Sequence, residues 1–248
     1  MLVDTKIIIS PPFGNWIDSK YAYSIAGTFT SLPRPGKWLQ ALKTVRKFSN
    51  GWVNKIGLRN EGFWNYCVNL TKSKYNKIVS IYSTDYSEIK SMIRYCHLFD
   101  LYELNLSCPN IESNKIDYEE LFSKLNFFRS YIIIKLPPIN YENIFRAAYI
   151  NNFKKFHCCN TYPSKKHGGI SGKFLKPYSL KVIKYLKSID SSLTIIGGGG
   201  ISSIKDIYDY KNVGTDYFSL SSAFFNPLTL LKLGAFYKET RFFNSNPI

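Results

Sequence analysis

Acidic residues are scarce in this chain: 17 Asp and Glu stand against 33 Lys and Arg in 248 residues, a formal charge of +16. Arginine is scarce too, with 7 of those cations against 26 lysines, and the lysines are scattered rather than blocked. That pattern argues against the clustered basic stripe of a nucleic-acid-binding protein and favours a solvated, lysine-rich surface. Acidic partners of another kind, phosphorylated or carboxylated ligands, remain compatible with the excess. The only histidines are His97, His157 and His167; their spacing suggests no metal, and none is read as a ligand or base. Five cysteines, Cys67, Cys96, Cys108, Cys158 and Cys159, are odd in number and form no C-x-x-C spacing. They exclude a disulfide framework and give no sign of zinc or an iron–sulfur cluster. No run approaches the ~18 apolar residues of a membrane span, and the opening residues meet Pro11-Pro12 too soon for a secretory leader. A reducing, cytoplasmic setting away from membranes is expected.

Apolar and aromatic residues are present in quantity, at 45% and 17%. That supports one full core at this length, and a single domain over 1–248. Short β-branched or aromatic runs recur at 7–10, 21–26, 78–82, 101–106, 131–136, 156–159, 193–196 and 216–220. Each has the length and continuity of a strand buried on both faces. Amphipathic stretches at 38–48, 86–99, 118–129, 141–151, 179–188, 204–210 and 227–238 lie between or after them. In the second stretch Ile89, Met92, Ile93 and Cys96 repeat at helical spacing. Eight strands with intervening helices in about 250 residues is the arithmetic of a (β/α)8 TIM barrel, with a doubly wound open sheet as the competitor. Polar residues placed just past several strand ends favour the barrel. Residues 11–20 are too few for a full βα crossover, so the first helix is expected to be reduced or missing.

Those strand ends carry the chemistry. ELNLSCPN at 103–110 puts Cys108 in a loop between two carboxamides, Asn105 and Asn110. A lone loop cysteine is commonly inert, but here the carboxamides can pair with the edge of a planar amide or imide, and a thiolate can act as a general base. Lys135 stands in the apolar run IIIKLPP at 132–138. A buried ammonium needs an anionic partner, so Lys135 is read as facing a ligand; the bland alternative is a lysine snorkelling past the strand end. Cys159, Asn160 and Thr161 close the sixth run, GGGG at 197–200 closes the seventh, and Ser221 and Ser222 follow the eighth. Loops after strands seven and eight of a barrel are where phosphate is commonly held, and glycines let the backbone approach it.

As a set these segments resemble the dihydroorotate dehydrogenase family, FMN-containing (β/α)8 enzymes of pyrimidine synthesis. The resemblance runs from about residue 51 to 240 and includes GWVNKIGLRN at 51–60, which is similar to the segment holding the pyrimidine, and GGISG at 168–172. It implies that Cys108 takes a proton from C5 of dihydroorotate while C6 delivers hydride to flavin N5. Lys135 would stabilise the reduced flavin. Asn54, Asn105, Asn110 and Asn160 would orient the pyrimidine, Thr161 would add a contact, and the amides of Gly57 and Leu58 would meet the carboxylate. Asn105, Lys135, Cys159, Gly172, Gly199, Gly200, Ser221 and Ser222 would hold FMN. Cysteine as the base resembles the soluble class, which implies a possible homodimer and no membrane.

The N-terminal fifth departs from that pattern. Trp16 and Ile17 stand where the family has small residues against the flavin. Ala26 or Gly27 stands where it has a second lysine, for which Lys55 is the candidate replacement. Three other readings therefore stay open: a catalytically degenerate flavin-binding barrel, another dihydropyrimidine or dihydrouridine oxidoreductase, and, last, a nucleic-acid-binding barrel.

Overall fold

The computed structural model describes residues 6–19, 21–49, 51–69, 77–95, 99, 101–107, 116–231 and 233. In chain order the strands are β1 (Ile7–Ile9), β2 (Tyr23–Phe29), β3 (Arg46–Phe48), β4 (Gly51–Asn54), β5 (Lys77–Ile81), β6 (Leu101–Leu104), β7 (Ile132–Leu136), β8 (Lys155–Cys158), β9 (Tyr162–Ser164), β10 (Gly168–Gly172), β11 (Thr194–Gly198) and β12 (Tyr217–Leu220). The helices are α1 (Lys37–Thr44), α2 (Phe63–Asn69), α3 (Tyr86–Tyr95), α4 (Tyr118–Leu125), α5 (Glu142–Ile150), α6 (Lys176–Ile189) and α7 (Ile204–Asn212).

Eight strands, β1, β2, β5, β6, β7, β8, β11 and β12, close in that order into a parallel barrel. Closure is made at β1, where Ile9 registers with Leu220 and Ile8 with Tyr23. These are the eight runs expected from the sequence, shifted by one to three residues at their ends. Between β1 and β2 there is only a 3-10 turn at Phe13–Asn15, so the first crossover helix is replaced by a turn, as the spacing required.

Burial explains why the runs are continuous. One face of each barrel strand packs outward against the helices, through residues such as Val79, Leu104, Ile134, Phe156, Ile195 and Phe218. The other face fills the interior: Ile8, Tyr23, Ile25, Ile78, Leu101, Ile133, Ile196 and Tyr217 form a separate buried cluster contributed by seven of the eight strands. A strand buried on both faces has no reason to alternate.

A second sheet was not expected. Strands β3, β4, β10 and β9 form a four-stranded antiparallel sheet, with Ile170 opposite Val53 and Gly169 opposite Pro163. It corrects one expectation, since the helix expected over 38–48 ends at Thr44, and it makes the GGISG segment at 168–172 a strand. Among the described residues no helix is long and apolar enough to cross a membrane.

Candidate active site

Side chains alternate across a strand with period two, so the positions two residues beyond the interior cluster also face inward, nearer the C-terminal ends. They are Ser10, Gly27, Ser80, Glu103, Lys135, Gly198 and Ser219, with His157 on β8. The barrel interior thus changes from wholly apolar to polar within one step along the strands. The C-terminal mouth above this layer is a cavity of about 290 Å3.

Glu103 is the centre of the polar layer. It is completely buried, and its Oε1 accepts from Lys135 Nζ at 3.0 Å and from Ser80 Oγ at 2.7 Å, while Oε2 lies 2.5 Å from His157 Nδ1. Burial alone would raise this carboxyl, but Lys135 and His157, with hydrogen bonds from His157 and Ser80, hold it well below the usual carboxylate range. Burial pushes His157 below the ordinary imidazole value, against the pull of Glu103. A neutral imidazole donating Nδ1–H to the carboxylate accounts for both. Lys135 is therefore not snorkelling outward; its buried ammonium has the anion it requires.

Donors line up toward that carboxylate. Asn105 Nδ2 donates to Thr28 Oγ1 at 2.8 Å, Thr28 and Ser80 hydroxyls are 2.9 Å apart, and Ser80 in turn donates to Glu103. Ser107 Oγ donates to Asn105 Oδ1 at 2.9 Å, and Asn160 Nδ2 donates to Ser107 Oγ at 3.0 Å. Chains of this kind polarise one another in a low-dielectric interior. They hold the carboxamides of Asn105 and Asn160 at the cavity wall in a defined orientation.

The wall opposite is built of small residues. Gly172, Gly199, Gly200, Ser219, Ser221 and Ser222 line it. Gly200 has φ +74°, and a Cβ there would lie 2.7 Å from the Gly172 carbonyl oxygen, so this close turn needs glycine. The turn is tied down by Asp206, which accepts from Ser202 N at 2.9 Å and Ser203 Oγ at 2.8 Å and pairs with Lys176. The hydroxyl of Ser221 donates to the Pro11 carbonyl at 2.7 Å.

The second sheet closes the remaining side. Asn54 at the end of β4, the following Gly57 and Leu58, and Gly169 and Ser171 of β10 all reach the cavity. Asn60 fastens this segment to the end of β2: its Nδ2 donates to Thr30 Oγ1 and to the Leu58 carbonyl, and its Oδ1 accepts from Gly62 N.

One cavity thus brings together Asn54, Gly57, Leu58, Asn105, Lys135, Cys159, Asn160, Thr161, Gly172, Gly199, Gly200, Ser221 and Ser222. Cys108 and Asn110, and with them His97, lie outside the described residues. Trp16 and Ile17, which stand where the family has small residues against the flavin, are not in the lining. Trp16 instead stacks outside on Trp38, with ring centroids 5.7 Å apart. Lys55 lines an outer groove rather than the cavity. Gly27 cannot be a simple loss of side chain: at φ +113°, a Cβ would lie 2.4 Å from the Ser80 carbonyl oxygen.

Sequence reasoning missed Lys37, Arg59, Thr28 and His157, all in the lining. Counting in twos from Lys155 would have aimed His157 inward; Lys37 and Arg59 carry no such signal.

A family model described as dihydroorotate dehydrogenase matches residues 13–232. The chain is 26% identical over 217 residues to the catalytic subunit of dihydroorotate dehydrogenase B (NAD(+)) from Thermotoga petrophila, covering 76% of this chain and 78% of that protein. Identity is 30% over 209 residues to a putative dihydroorotate dehydrogenase A (fumarate) of Streptococcus pyogenes serotype M3, covering 70% and 67%. A dihydroorotate dehydrogenase B catalytic subunit from Oceanobacillus iheyensis is 27% identical over 223 residues, covering 76% and 72%.

Proposed function

This chain belongs to the dihydroorotate dehydrogenase family, and we propose that it oxidises dihydroorotate to orotate with FMN as its cofactor. The observation that carries this reading is the two-sided cavity. Its small, hydroxyl-bearing wall at Gly199, Gly200, Ser221 and Ser222 suits a phosphate, and its opposite wall offers the ammonium of Lys135 and the amides of Asn105 and Asn160 to a polar ring system. The residues present fit FMN. When bound, it supplies the hydride acceptor, N5.

The remaining roles belong to the chain. Asn54, Asn105 and Asn160 orient the pyrimidine through its amide edges, with Asn110 and a contact from Thr161, and the loop carrying Gly57 and Leu58 bounds the carboxylate. Lys135 keeps a positive charge facing the cavity in a site where charge develops during the reaction. Cys108 Sγ takes the proton from C5 of dihydroorotate; this role rests on the ELNLSCPN segment, whose Asn105 lines the cavity. Replacing Cys108 with Ala is expected to leave FMN bound while slowing flavin reduction by dihydroorotate at least ~100-fold, the scale of general-base catalysis. Unchanged reduction in stopped-flow absorbance would remove Cys108 from the mechanism.

Gly27 favours a second reading, a flavin-binding barrel without turnover, because that position of β2 has no room for a cationic side chain. In that case FMN binds and dihydroorotate leaves it oxidised.

A further inference from the structure

Among the described residues the cavity lining contains three cations, Lys37, Arg59 and Lys135, and not one carboxylate. Lys135 is already paired with the buried Glu103 at 3.0 Å. Arg59 reaches over to the loop before α1, where its Nη1 donates to the Pro35 carbonyl at 2.9 Å. Lys37 has no such arrangement. Among the described residues no carboxylate lies within ion-pair distance of it, and burial lowers its pKa with only the more distant charge of Glu61 opposing.

Its place in the chain makes the ammonium still less favourable. Lys37 is the first residue of α1, which has no acidic residue in its first turn and no side-chain cap at Gly36, so the positive end of the helix dipole adds to the cation. The position is nonetheless held firmly. Trp38 stacks on Trp16, Gln40 Nε2 donates to the Lys55 carbonyl at 3.1 Å, and Arg34 pairs through its backbone with Asn60. A half-buried cation maintained at a cavity wall against burial and dipole is stabilised by an anion brought in from outside.

We propose that Lys37, with Arg59 beside it, forms the subsite that pairs with the carboxylate of a small planar ring acid, so that Lys37 is the residue by which this cavity prefers a carboxylated pyrimidine to an uncharged one. The inference rests on the proposed function and names the group that reads the substrate's charge. It also assigns a purpose to the divergent N-terminus: Trp16 is outside the cavity because it braces α1.

The test is calorimetric binding of orotate and of uracil, which lacks the carboxylate, to the FMN-loaded protein and to K37M, K37R and K55M. Methionine keeps the aliphatic stem of Lys37, and circular dichroism checks that each variant is folded. The proposal expects K37M to bind orotate ~10–100-fold more weakly, as for loss of a partly buried charge pair, with uracil binding unchanged. K37R should stay within a few-fold of the parent, and K55M should match it. Equal orotate affinity in K37M and the parent protein overturns the subsite and leaves the proposed function standing. An equal loss for uracil also overturns it, by showing a structural role. If the parent protein binds no orotate and its flavin is not reduced by dihydroorotate, the functional reading fails and the subsite falls with it.

Discussion

At the mouth of the barrel Glu103 serves three buried partners at once, Lys135, His157 and Ser80. It neutralises Lys135, fixes the tautomer of His157 and terminates the donor chain from Asn105. Replacing it with Leu strands a buried ammonium and is expected to destabilise the fold by about 3–5 kcal/mol in denaturant titration; Glu103→Gln, which keeps an acceptor, should be milder. The pH dependence follows from the directions of the two shifts. The folded-state pKa of Glu103 and that of His157 both lie below their ordinary values, so both contribute stability at neutral pH that is lost on acidification. The His157 part begins to go as pH falls below about 6.5, the Glu103 part below about 4.5. A His157→Gln variant should flatten the first of these slopes and leave the second, measured by urea midpoints across pH 7 to 4. Lys135 was legible in the sequence because a lysine inside an apolar run is conspicuous. His157 and Glu103 were not, because their meaning depends on which strands become neighbours: β8 beside β7, and β7 beside β6.

Elements differ in how plainly they announce themselves. The eight barrel strands were readable since burial on both faces imposes continuous apolar runs. The four strands of the second sheet were not. β3 reads RKF and β9 reads YPS, with no buried residue in either, and β10 is glycine-rich. Such strands are held by pairing with β4 and with one another, a long-range matter that leaves no periodic trace. The turn after β11 was readable by its glycines, but the brace beneath it was not. Burial would raise Asp206, yet the hydrogen bonds from Lys176, Ser202 and Ser203 bring it down to about 2. Its contribution is therefore present above the ordinary aspartate value of 3.8 and lost as pH falls from there toward 2. Asp206→Asn should destabilise by about 1–3 kcal/mol at pH 7 and weaken FMN binding, read by fluorescence quenching. Unaltered FMN affinity would separate this brace from the proposed phosphate wall.

For the whole molecule, the +16 charge acquires a direction. The outer groove shares residues 56–59 with the cavity and is lined by Arg34, Lys55, Arg59 and Lys165, with no acidic residue among the described ones. An anion approaching the mouth therefore meets positive potential before it meets the site. Such steering is screened over about 8 Å at physiological ionic strength, so kcat/KM for dihydroorotate should fall several-fold between low and high salt while kcat changes little. A salt-independent kcat/KM would confine the charge to solubility. Dihydroorotate delivering its electrons within this cavity is the central step of the proposed function. Anaerobic titration of the FMN-reconstituted protein with dihydroorotate tests that most directly. Bleaching of the oxidised flavin band is expected, with orotate formed in equal amount. Flavin that binds and stays oxidised, or that does not bind at all, would contradict that step.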